Sequence, residues 1–127
     1  MKTMRTVAAG LFAALIVGTG VAQADQLLGT YVARISEKDH QASDGYALDS
    51  AAQVVRQDRA NVHQHIQTDE EDDIDGWFTT KAKRVRFEQL LNKPGAMNNS
   101  TRNAILHGKP LIEVQVYRQS VKVRLLD

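Results

Sequence analysis

The chain has 127 residues, with 16 Lys and Arg against 15 Asp and Glu, no Cys and two Pro. These numbers exclude a multidomain enzyme, a disulfide-stapled miniprotein and a thiolate metal site. The near-neutral total hides a split. Residues 25–76 carry 4 basic and 12 acidic side chains, whereas residues 77–127 carry 10 and 3. The expectation is that the two halves face one another and cancel on folding; two separate patches, one for cations and one for anions, are the alternative.

The N-terminus reads as an address. Lys2 and Arg5 open the chain without an acid, residues 7–21 are apolar or small throughout, and Ala22-Gln23-Ala24 follows. A basic start, a short apolar run and an A-x-A ending make a secretory signal peptide, cleaved after Ala24. The run is shorter than the ~20 apolar residues of a membrane-spanning helix. Residues 25–127 are therefore expected to form one small domain that does not span a membrane and is periplasmic or secreted. An exported domain with no Cys draws its stability from its core alone, which points to a bacterial envelope.

In chain order, Leu27 to Ile35 reads as a strand with Tyr31, Ala33 and Ile35 on one face. Ser36 to Gly45 is a polar loop rich in turn formers. Ser50-Ala51-Ala52-Gln53 fits a capping box, and the apolar spacing from Leu48 through Val55 and Val62 to Ile66 predicts a helix to about His65. Thr68 to Gly76 is an acidic loop, expected to be solvated. Thr79 or Thr80 caps a second helix to about Asn92, although Val85 and Phe87 alternate with charges as a strand would. Asn98 or Asn99 caps a third helix to His107, stopped by Gly108 and Pro110.

The C-terminal residues alternate strictly, Ile112-Val114-Val116 and then Val121-Val123-Leu125. A two-residue turn at Arg118-Gln119 pairs Val116 with Val121, Val114 with Val123, Ile112 with Leu125, and Glu113 with Arg124 on the other face. The sequence thus predicts an α+β fold: an N-terminal strand, two to three helices covering one face, and a C-terminal antiparallel β-hairpin.

Candidate chemistry is sparse. Asp69-Glu70-Glu71-Asp72-Asp73-Ile74-Asp75-Gly76 offers carboxylates that a hard cation such as calcium would take. Aligning Gly76 with the glycine of a calcium loop puts Glu71, Asp73 and Asp75 at early ligand positions, but Ala82 falls where a bidentate Glu is needed. His63 and His65 could join Asp69 or Glu70 around zinc or nickel, yet residues two apart diverge on a helix, and two exposed histidines at a fraying end are the simpler reading. Asp39-His40 sets an acid beside a base in a polar loop, where function is often carried. Gln57-Asp58-Arg59-Ala60-Asn61 places a charged pair where the apolar stripe continues, as a buried ion pair or a partner site. Trp77-Phe78 closes a core or anchors a contact.

No serine stands in a G-x-S-x-G elbow and no catalytic or cofactor motif is complete. The leading expectation is a non-catalytic binding protein meeting a protein or an anionic envelope component, with Asp39, His40, Asp58, Arg59 and Trp77 as contacts. The alternative is a metal-responsive envelope protein binding a divalent cation through His63, His65, Asp69, Glu71, Asp73 and Asp75. A cell-wall hydrolase is a third option. The basic residues Lys81, Lys83, Arg84, Arg86, Arg102, Lys109, Arg118, Lys122 and Arg124 invite an anion, but nucleic acid is not expected of an exported chain with few exposed aromatics.

Overall fold

A computed structural model describes residues 24–64 and 69–127. The expected signal peptide, up to Gln23, lies outside them, as do His65 and Ile66. The fold is α+β. Strand β1 (Leu27–Arg34) is followed by a 3-10 turn (Glu37–His40), helices α1 (Ala51–His63), α2 (Lys81–Leu91) and α3 (Asn99–His107), and strands β2 (Leu111–Tyr117) and β3 (Val121–Leu125). The sheet is antiparallel in the order β1-β2-β3. No helix among the described residues is long and apolar enough to cross a membrane.

The hairpin has the register expected from its alternation. Val116 pairs with Val121, Val114 with Val123 and Ile112 with Leu125, while Glu113 meets Arg124 with the two side chains 2.6 Å apart. A one-residue slip would turn every valine to the other face. The turn lacks Asn-Gly because it is held from outside. The Asp25 carboxylate accepts from Gln119 N (2.9 Å) and Ser120 Oγ (2.6 Å), and Arg118 N donates to Gln26 O.

Each helix starts on the side chain that local chemistry demands. Ser50, Thr80 and Asn98 accept from the backbone amides of Gln53, Lys83 and Thr101. The Gln53 side chain reaches Asp49 N, so the box closes one residue earlier than the sequence pattern implies. In α2 the helical period decides against a strand: Arg84, Phe87, Leu90 and Leu91 turn inward and Val85 faces out. The polar loop after β1 is tighter than expected. Asp39 accepts from Ser36 N and Oγ to form the 3-10 turn, and Gly45, at φ +93°, supplies the left-handed residue of the turn that follows.

One apolar core lies between the sheet and the helices. At its centre Phe78 stacks on Phe87 with ring centroids 3.9 Å apart, and Tyr31 meets both rings edge-on. Trp77 is half-buried and packs against Gly29, where a Cβ would come within 2.7 Å of the indole.

Candidate functional site

Of the charged residues singled out from the sequence, Asp39, Asp58, Arg59 and Asp75 are buried and form the centres of two connected groups, while Asp69, Glu71 and Asp73 lie in the loop against β1. Helix α1 turns Val55, Asp58, Arg59 and Val62 toward the core together, so the charged pair does interrupt an apolar stripe and is buried with it. Arg59 is fully buried and Asp58 is 1% exposed. Arg59 Nε donates to Asp58 Oδ2 (2.7 Å), and Nη1 donates to Asp75 Oδ1 (3.0 Å) and Asp73 O (2.8 Å). Its guanidinium carbon sits 4.0 Å from the centroid of the Tyr31 ring. That cation–π contact offsets part of the cost of Arg59 Nη2, which has no hydrogen-bond partner among the described residues.

Asp75 is the anchor of this group. Its carboxylate accepts from Trp77 N (2.8 Å) and Phe78 N (2.7 Å) and lies 2.7 Å from His63 Nε2. Burial opposes ionisation of Asp75, but the Phe78 amide, His63 and Arg59 outweigh it and hold the acid below its ordinary value. Asp58 shares the same guanidinium without such amides, and burial pushes it well up despite Arg59. Two acids thus divide one base, and their carboxyls are shifted in opposite directions.

These opposite shifts predict opposite pH dependences. A depressed acid adds stability above its unfolded value of 3.8 that is lost as pH falls through the folded value. A raised acid adds stability below 3.8 that is lost as pH rises through its folded value. Urea midpoints measured from acid to neutral pH are therefore expected to show a shallower acid loss in Asp75→Asn. In Asp58→Asn the decline on the less acidic side is expected to vanish. Identical profiles in both variants would contradict the assignment.

The second group ties the 3-10 turn to the helices. Asn61 Nδ2 donates to Asp39 Oδ1 (2.8 Å), and Asp39 is 2% exposed, its carboxyl raised by burial against the Ser36 and Asn61 hydrogen bonds. His40 bridges two carbonyls, with Nδ1 2.8 Å from Ser36 O and Nε2 2.9 Å from Ile105 O in the last turn of α3. Asp39 and His40 hold this corner together.

The acidic loop is largely exposed, as expected of a solvated segment, with Glu70, Glu71, Asp73 and Ile74 facing solvent, but it is also pinned to the sheet. Strand β1 lies at the edge of the sheet, and the loop closes that edge. Val32 N donates to Asp73 Oδ2, Asp73 N to Val32 O and Arg34 N to Asp72 Oδ1, each at 2.8 Å. Unpaired strand amides would otherwise template another chain. Glu71 is taken by Arg34, which also holds Asp127. The residues considered as metal ligands accordingly diverge: Glu71 to Arg34, Asp73 to β1, Asp75 inward to Arg59. Asp69 N donates to Asp72, and the Asp69 carboxyl joins no ion pair among the described residues. His63 is not exposed at a fraying end but is 11% exposed on Asp75. Among the described residues no three His, Asp or Glu side chains converge as a metal-ligand set.

The two charge halves do not cancel across the fold either. The ion pairs that join them, Arg34–Asp127 and Arg56–Glu88, both take their base from the acidic half. The basic half satisfies only Arg124, through Glu113. Its other Lys and Arg side chains have no acidic partner among the described residues, and Lys81, Lys83, Arg86, Lys93, Lys109, Arg118 and Lys122 are exposed. The physical reason is geometric. Asp72 and Asp73 are spent on β1 amides, and Asp58, Glu71 and Asp75 on Arg59, Arg34 and His63, and no other acid of residues 25–76 forms an ion pair with α2 or β3 among the described residues.

Compared with known proteins, the chain matches no family model, and no curated protein and no solved structure is significantly similar to it.

Proposed function

We propose that this is a small exported binding protein that acts without catalysis and meets an anionic component of the envelope through its basic half. The observation that carries the reading is the unequal use of charge: Asp58, Glu71, Asp72, Asp73 and Asp75 are engaged within the fold, while most cations of residues 77–127 are exposed without an acidic partner among the described residues. The basic start, apolar run and A-x-A ending of residues 1–24 support export. Burial of Asp39, Asp58, Arg59 and Asp75 speaks against a catalytic acid or base among them, since a reacting group must reach its substrate.

Cosedimentation with vesicles of anionic phospholipid, set against neutral vesicles, tests the reading. Binding is expected to the anionic vesicles alone and to fall steeply as salt rises, because the screening length is only about 10 Å at 0.1 M. Equal partition between the two vesicle types, or none to either at low salt, would refute it.

A further inference from the structure

We infer that the cleft between α1 and α2 binds a small oxyanion, a carboxylate or phosphate group carried on a compact molecule. The inference rests on the reading above in taking the protein to bind an anion, but it places that anion in a defined site apart from the exposed basic surface. The cleft encloses about 440 Å³ and is lined by Gln53, Arg56 and Gln57 of α1 and by Lys81, Arg84 and Glu88 of α2. That volume lies in the range of small-ligand sites, roughly 300–1,000 Å³.

Arg84 is the unusual member. Its residue is only 5% exposed, yet among the described residues it makes one hydrogen bond, from Nη1 to Phe78 O (3.0 Å). A guanidinium carries five N–H donors in a planar fork suited to two oxygens at once, so most of its donor capacity is unspent and open to the cleft it lines. Burial and the neighbouring charge of Arg56 both disfavour its ionised form, and only Asp75 opposes them. Glu88, the one acid on the lining, is already given to Arg56 at 2.9 Å. Lys81 adds a second uncompensated cation. It is the first residue of α2, whose first turn holds no acid to balance the positive end of the helix. Gln53 and Gln57 bring amide groups to the opposite wall. An oxyanion between Arg84 and Lys81 would supply the missing negative charge and accept the idle donors.

The test is a titration of the full chain, ¹⁵N-labelled, with inorganic phosphate and separately with succinate, followed through the Arg and Gln side-chain resonances. Saturable shifts of Arg56, Arg84 and Gln57 are expected with one of the two probes, and which one identifies the group bound. Affinity is expected to drop about tenfold or more in Lys81→Gln and in Arg84→Gln, and to be unchanged in Lys122→Gln on the sheet. Lys81 is exposed, so Lys81→Gln decides the matter if Arg84→Gln fails to fold. No saturable response to either probe, or equal weakening by Lys122→Gln and Lys81→Gln, overturns the inference. Vesicle binding that persists beside a silent cleft would overturn the cleft alone, and a responsive cleft without vesicle binding would overturn the envelope reading alone.

Discussion

Arg59→Ala is expected to cost about 3–5 kcal/mol of folding stability, because it leaves an ionised Asp75 buried with only His63 and two backbone amides against it. The loss has four parts. The charge-assisted bonds to Asp75 and to Asp58 go, the Asp73 carbonyl loses its donor, and Tyr31 loses the guanidinium packed over its ring. The backbone at Asp73 is also the segment that closes the β1 edge, so the damage spreads to Val32. Native domains are stable by only about 5–15 kcal/mol, and a change of this size removes a large share. Urea unfolding followed by far-UV circular dichroism measures it directly. A loss below about 1 kcal/mol would mean that water or a shifted side chain reaches Asp75.

Phe87→Ala should cost a similar amount, about 3–5 kcal/mol, for a different reason. Phe87 is fully buried, stacked on Phe78 and met edge-on by Tyr31, so truncation opens a cavity where α2 packs on the other elements. The stack cannot relax easily, since Phe78 is fixed through its own amide to Asp75. The two variants should differ in character. The Arg59→Ala loss should vary with pH, because it exposes carboxyls to titration, while the Phe87→Ala loss should stay nearly constant from pH 5 to 8. Parallel pH profiles for the two would contradict a charge-based role for Arg59.

The elements whose signals are local were legible in the sequence. The hairpin register followed from strict alternation, since only one register puts all six apolar residues on one side with Glu113 opposite Arg124. The helix start at Ser50 followed from cap chemistry, which narrowed the other two to Thr79 or Thr80 and to Asn98 or Asn99, and Thr80 and Asn98 are the caps. Asp58-Arg59 stood out because a charged pair fell on an apolar stripe, and burial explains it. What the acidic loop does was not legible. Its partners Val32 and Arg34 lie 38 to 41 residues away, and nothing near Asp72 or Asp73 signals a strand edge in need of acceptors. A run of carboxylates looks the same whether it faces water, a cation or its own backbone. The cleft was hidden for a related reason. Arg56 was not singled out, and Arg84 was read only as one of many basic residues, because the wall they share exists only once α1 packs on α2. Arg84 did carry a faint local sign, lying three residues before Phe87 on the buried face of its helix.

The same geometry explains why a nearly neutral chain presents a basic surface. Asp72 and Asp73 are committed to the edge of β1, Glu71 to Arg34, and Asp58 and Asp75 to the Arg59 cluster, away from α2 and β3. On the function proposed above, the charges divide: Asp58, Arg59 and Asp75 hold the structure, and the unpaired cations are left for recognition.

A double-mutant cycle between Arg59 and Asp75, using Arg59→Met and Asp75→Asn with urea unfolding, tests that division most directly. If the pair is a structural unit, the two losses will fall short of additive by about 1–3 kcal/mol. Losses that add to within about 0.5 kcal/mol would contradict it, leaving these buried charges without the structural role assigned to them.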